Sequence, residues 1–198
     1  MRKYEFTGET KEILSSSKVV ILHRIRAVSD FGTVKAGDLG GWIEKEENLS
    51  HDGLAWVYDN ATVYDNAIVC DNAFVYDDVN VCNNAVIRDN ASVCNNALIY
   101  GNAIICGNAC IGANARIRNN AIVSSTNHIL VIGPIGSRKD FITFYRDQDN
   151  DITVSCGCFN RKIDKFLEKV SQIHGDSKHA LTYRAAVELA KLQIDVSL

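Results

Sequence analysis

No run of apolar residues in this chain approaches the ~18 to 20 positions that a membrane-spanning helix requires. The charged stretch Met1 to Phe6 has no apolar segment behind it, so neither a signal peptide nor an anchor is expected and the cytoplasm is the simplest address. There is no excess of positive charge either. The formal net charge is −3, and residues 55 to 126 carry six acids against three bases, Arg88, Arg116 and Arg118. That balance excludes a basic face for duplex nucleic acid. A disulfide framework is also unexpected. Seven cysteines is an odd number, and four of them (Cys70, Cys82, Cys94, Cys106) recur inside a periodic stretch, which suits free thiols in a reducing compartment. With 46% apolar residues the 198-residue chain can bury a real core, and no segment has a disordered composition.

What is present is a six-residue period. Alanine stands at every sixth position from 55 to 121, with Val79 filling the one gap. Two residues after each comes a branched Val or Ile, from Val57 to Val123. Residues two apart on a strand share a face, so each unit points one small and one branched side chain inward. Each unit closes with a polar pair, such as Asp59-Asn60 or Asn83-Asn84, whose second residue is nearly always Asn, a residue suited to the left-handed backbone of a sharp corner. Strand, corner, strand every six residues makes a triangular coil of about 18 residues. Twelve units give four coils, and the expected fold is mainly β: a left-handed parallel β-helix over 55–127, roughly 20 Å tall at the ~4.8 Å strand spacing.

Residues 18 apart stack on one flank. The sequence therefore sorts into Thr62, Asn80, Leu98, Arg116; Ile68, Val86, Ile104, Ile122; and Trp56, Phe74, Ser92, Cys110. The second flank is aliphatic throughout and calls for a cover, either sister subunits in a homotrimer or the C-terminal helices. Residues 1–54 read as a β cap on the open solenoid end, with a strand at Lys18 to Val28. Gly37 to Trp42 reads as tight turns, because no Gly-Lys-Ser/Thr follows to make a phosphate loop. Residues 128–198 read as a small α+β module. Its strands are expected at His128 to Ile132, Asp140 to Arg146 and Asp151 to Cys156. Two helices follow, one carrying Phe166, Val170 and Ile173, the other Tyr183, Val187 and Ile194.

The fold's best-known occupants are acyltransferases with a histidine base in the groove between subunits, yet the twelve hexads hold no histidine, and His51 and His128 only flank them. No catalytic residue and no cofactor is therefore assigned from sequence. Cys156-Gly157-Cys158 with His174 and His179 has zinc-ligand chemistry at a spacing tighter than common zinc motifs, and buried thiols with surface histidines is the competing reading. Ser137, Arg138 and Lys139 follow a Gly-Pro-Ile-Gly turn and, with Tyr145, offer donors, two cations and an aromatic face to a small anion such as a nucleotide. The outward Tyr64, Tyr100 and Arg118 of the coil could line an inter-subunit groove in the same way, or be β-favouring surface.

The stretches Tyr4 to Thr10, Leu22 to Ala27, Asp30-Phe31-Gly32 and Gly37 to Glu44, followed by the Asn-Ala hexads, resemble a family of phage and prophage hexapeptide-repeat proteins of the polymer-forming, cytoskeletal-like type. Gly136-Ser137-Arg138, Cys156-Gly157-Cys158-Phe159 and His174-Gly175 are similar to a module often found behind such repeats. The resemblance implies phage origin, a β-helix and the cytoplasm of a bacterial host. In that family position 179 often holds tyrosine, which counts against a four-ligand zinc site. Three function classes remain: a non-catalytic accessory protein that sequesters a small anionic, nucleotide-type ligand of host defence; a structural scaffold for protein contacts; and a hexapeptide-repeat acyltransferase.

Overall fold

The computed structural model describes residues 2–197. Twelve two-residue strands, from β4 (Trp56–Val57) to β15 (Ile122–Val123), begin at every sixth residue and stack in parallel on three sheets. The three flanks hold the residues that the 18-residue spacing assigns to them. The coil begins earlier than the hexads do. Strand β3 (Leu39–Ile43) pairs in parallel with Thr62–Val63, and Leu49 bridges to Val69, which brings the solenoid to about five turns where four were expected. The extra turn has no Asn-Ala signature because its corners are irregular. Gly40 and Gly41 lie inside β3 rather than in turns. A Cβ on Gly40 would come within 2.6 Å of Ile25 and Trp56, so these glycines permit close packing of strand on coil.

Inside the prism, alanines and branched residues form one continuous core with almost no exposed surface. From Trp56 to Ile104, each rung donates its N–H to the carbonyl seventeen residues on, as from Trp56 to Ala73 (3.1 Å) and Thr62 to Val79 (2.8 Å). The corners depart from the sequence reading. The left-handed residue is the first of each polar pair, as at Asp59 (φ 51°) and Asn83 (φ 59°), and not the Asn that follows. Each turn is closed by a bond such as Ala61 N–H to Tyr58 C=O (3.1 Å), so the bend falls on the residue after Tyr58. From there the side chain lies along the solenoid axis and accepts the N–H of its equivalent one coil on. Asp59 accepts from Asp77, Asp77 from Asn95 (2.8 Å) and Asn95 from Ala113 (2.9 Å). The second-position Asn instead forms amide ladders, such as Asn66 to Asn84 to Asn102.

Both ends of the solenoid are closed. At the N-terminal end, the fully buried Trp56 meets Tyr4 and Phe31 edge-on, and Ile25, Val34 and Leu49 complete the plug. The hairpin β1 (Tyr4–Ser15) with β2 (Lys18–Ala27) adds antiparallel to β3. Sequence reading found β2 but not β1, whose Thr-Gly-Glu-Thr stretch carries a bulge between Phe6 and Thr10.

The other end is closed by an antiparallel sheet of β16 (Ile129–Ile135), β17 (Asp140–Arg146), β18 (Ile152–Cys156) and β19 (Phe159–Lys162). Its two faces alternate as pleating requires. Ile142, Phe144, Ile152 and Val154 pack under helices α1 (Ile163–His174) and α2 (Lys178–Gln193), the latter capped by Ser177. Thr143, Tyr145, Thr153 and Asn160 face the last coil, where orphan backbone groups need partners. Thr143 Oγ1 accepts the N–H of Arg116 (3.0 Å), Tyr145 donates to the carbonyl of Arg118 (3.1 Å), and Gln148 N–H bonds Asn120 C=O (2.9 Å). His128 is buried at this junction between Ser124 (3.3 Å) and Arg146 Nη1 (3.1 Å).

Two expectations follow. Ala113 (φ 56°) holds a corner conformation that an alanine disfavours by about 1 to 2 kcal/mol. Ala113→Asn should therefore raise the urea midpoint by the equivalent of about 1 kcal/mol, and an unchanged midpoint would refute the corner assignment. Burial, then the Arg146 charge, holds the His128 imidazole below its ordinary value of 6.5. The unfolded chain then binds the proton more readily, so stability is full above pH 6.5 and declines as pH falls below it toward the depressed native value. Urea titrations at pH 7.5 and 5.5 should show this loss in the wild type and a smaller one in His128→Asn.

Candidate functional site

A cavity of about 530 Å³ opens in the C-terminal module, between the β18–β19 turn, the loop after β16 and the inner faces of both helices. Alternation along β18 sends Cys156 toward the helix side, and Gly157 (φ 58°) turns the chain back so that Cys158 and Phe159 also reach the cavity. The helical period of α1 brings Phe166, Val170 and Ile173 to the same wall and places His174 at its end. Tyr183 of α2 closes the floor. Its hydroxyl lies against Gly136, where an added Cβ would sit 1.9 Å away, so this position has room for no side chain.

The titratable groups are held differently. Burial pushes the Cys156 thiol up, with Asp140 adding to the effect, so it remains a thiol at neutral pH. Burial also raises the Tyr183 phenol and keeps it a proton donor. Cys158 is exposed. The His174 ring stands 5.8 Å from that of Tyr183 and 6.0 Å from that of His179. Three cations, Arg138, Arg161 and Lys169, line the cavity against one acid, Asp140, which leans toward Arg116 at 3.9 Å. Among the described residues, none of these three cations has a carboxylate within 4.0 Å.

The structure thus merges two sets that sequence reading kept apart. Ser137 and Arg138, singled out for an anion, share one wall with Cys156, Cys158 and His174, singled out for zinc. Lys139 sits in the turn (φ 50°) outside the lining, and His179 stands behind His174. Among the described residues no group of three or more His, Cys, Asp or Glu side chains is arranged to hold a metal ion. Tyr145 does not reach the cavity. It is fully buried on the opposite face of the sheet, hydrogen-bonded to Arg118 and Asn160.

Tyr64, Tyr100 and Arg118 do share one column of the coil, with Cys82 at the 18-residue step between the two tyrosines, but the column is not an open groove. Tyr64 is buried with Cys82 beneath the β1–β2 hairpin, in a cluster with Leu22 and Trp42. Arg118 lies under the Tyr100 ring (5.8 Å) and donates to the carbonyls of Gly157 (3.1 Å) and Phe159 (2.6 Å). It therefore clamps the outside of the turn whose inside forms the cavity. Sequence reading missed the parts played by Tyr183, Arg161 and Lys169. Arg161 stands on β19 and Lys169 on α1, so no single element announces the charge, and the pairing of Tyr183 with Gly136 joins positions 47 apart and leaves no local signal.

No family model matches the chain. Over 74 residues, 35% of its length, the chain is 39% identical to a protein of Escherichia coli (strain K12) named Uncharacterized acetyltransferase YdcK. The match spans 23% of that relative. Hexapeptide coils and this likeness are compatible with the acyltransferase class of β-helix proteins.

Removing the Arg118 clamp should loosen the module rather than the coil. Arg118→Met is expected to cost about 2 to 3 kcal/mol, the scale for charged donors lost from buried acceptors. Amide hydrogen exchange should speed up in β18 and β19 and stay slow in the rungs between Val63 and Val93. Uniform acceleration through the coil would contradict this division of labour.

Proposed function

We propose that this is a β-helix protein of the acyltransferase type, in which the solenoid is the assembling scaffold and the C-terminal cavity is where an acyl group passes from a thioester donor to a nucleophile. The class rests on one observation, the 39% identity over 74 residues to a protein named as an acetyltransferase, set on a solenoid of hexads. The location rests on histidine. The hexads have none, whereas His174 borders a cavity with a phenol donor, thiols and unpaired cations.

In this reading the His174 imidazole accepts the proton of an attacking amine or hydroxyl as that group adds to the thioester carbonyl. Tyr183 or Cys156 donates a hydrogen bond to the oxygen that becomes negative. Collapse expels the donor's thiolate, which takes the proton from His174 and leaves as a free thiol. The coil's aliphatic flank, with Ile68 40% exposed and Val86, Ile104 and Ile122 half-buried, would be covered by sister subunits in a trimer. Among the described residues no helix is long and apolar enough to cross a membrane.

The lack of a histidine in the coil also favours a second reading, in which the cavity only sequesters a small anionic ligand at Arg138, as a phage accessory protein would. One assay separates the two. With acetyl-CoA and a panel of amines and alcohols, release of free CoA followed by chromatography is expected, and His174→Ala should lower kcat by roughly 100-fold or more without changing the far-ultraviolet spectrum. Ligand-dependent rises in melting temperature without any CoA release would replace transfer by sequestration. Turnover that survives His174→Ala would remove His174 from the mechanism.

A further inference from the structure

The lining of the cavity is sorted by chemistry, and the sorting specifies a ligand. Phe159, Phe166, Val170 and Ile173 supply a continuous apolar wall, while Arg138 and Lys169 supply positive charge at the opening. Ile173 is 60% exposed, which is unusual for an isoleucine on the inner face of a helix and leaves apolar surface to be covered by an occupant. Arg138 reaches over Gly157. Its Nη1 would lie 3.2 Å from a Cβ at that position, so the absence of a side chain there keeps the guanidinium open to the cavity.

An uncharged ligand would leave those cations unanswered, and an inorganic anion would leave the apolar wall wet. A long polyanion is disfavoured by the coil, where residues 55 to 126 carry six acids against three bases. A volume near 530 Å³ is in the range of small-molecule sites and holds a compact body of one ring or a branched chain. We infer that the cavity binds a small amphipathic anion, an aromatic or branched aliphatic body bearing a single carboxylate or phosphate, with the body against Phe166, Val170 and Ile173 and the head between Arg138 and Lys169. The inference rests on the reading that this cavity is the reactive site, and it names the class of acceptor that would be presented to His174, with the attacking amine or hydroxyl carried on the apolar body. Binding alone can be measured without any transfer.

Isothermal titration of the full chain with phenylacetate, phenyl phosphate, benzyl alcohol, acetate and inorganic phosphate tests it. Phenylacetate or phenyl phosphate should bind at least 10-fold tighter than benzyl alcohol and than the ring-free anion with the same head, and whichever of the two is tighter identifies the head group. Arg138→Ala and Lys169→Ala, both at exposed positions, should each weaken that binding about 10-fold, in line with loss of one charge-assisted hydrogen bond. Ile173→Asn should weaken it as much while leaving the weak affinity for inorganic phosphate unchanged. Benzyl alcohol binding as tightly as the anions, inorganic phosphate matching phenyl phosphate, or charge variants with wild-type affinity would overturn the inference. Binding as expected, with no CoA release from acetyl-CoA to 4-aminophenylacetate, which carries the amine that the other anions lack, would overturn only the proposed transfer. CoA release to other acceptors with no binding of either aromatic anion would overturn only the ligand class.

Discussion

Each inner rung of this solenoid satisfies its backbone on the coils above and below, through bonds that reach seventeen residues along the chain. Such a ladder has no natural end, because each terminal coil exposes the donors and acceptors that a further coil would use. Everything outside the hexads can be understood as an answer to that condition. One end receives an aromatic plug around Trp56 and an antiparallel hairpin. The other receives a sheet whose coil-facing residues are Thr, Tyr and Asn, side chains that can meet orphan N–H and C=O groups.

That choice of polar residues determines where the cavity lies. The sheet has only two faces, and the one against the coil is engaged by hydrogen bonds through Thr143, Tyr145 and Asn160. The apolar side chains are left to the opposite face, where two helices cover them incompletely and the space between β18, α1 and Tyr183 stays open. Arg118 joins the two functions, since it belongs to the last coil and holds the backbone of the turn that carries Cys156 to Phe159. A site in the module is thus positioned by the solenoid without containing any part of the solenoid's core.

The coils were legible in the sequence because a twelve-fold recurrence of small, branched and polar residues has one physical solution, and the flanks followed from counting by eighteen. The corners were half legible. The polar pair marked them, but Asp and Asn both tolerate left-handed backbone, and only the direction of the side chain along the axis decides which residue bends. The early start of the solenoid at Leu39 was hidden because its rungs lack the hexad pattern. Tyr145 and Arg118 are the instructive misplacements. The sequence put Tyr145 on a strand beside the anion loop and Arg118 on the outside of a rung, but nothing local says that those two residues meet each other. Arg138, Cys156 and His174 were each noticed for their chemistry, and it took the fold to show that three separate segments point into one space.

The eighteen-residue turn also restricts how this architecture can change in length. Adding or deleting a whole turn preserves every corner ladder, the three flanks and the relative bearing of hairpin and module, so the two ends move apart or together along the axis without rotation. Adding or deleting a single hexad would swing the module by a third of a revolution relative to the aliphatic flank and break the column that runs from Tyr64 to Arg118. Evolution can therefore stretch such a molecule in discrete steps, as a screw is lengthened by full threads, whereas finer adjustment must be confined to the irregular segments at its ends.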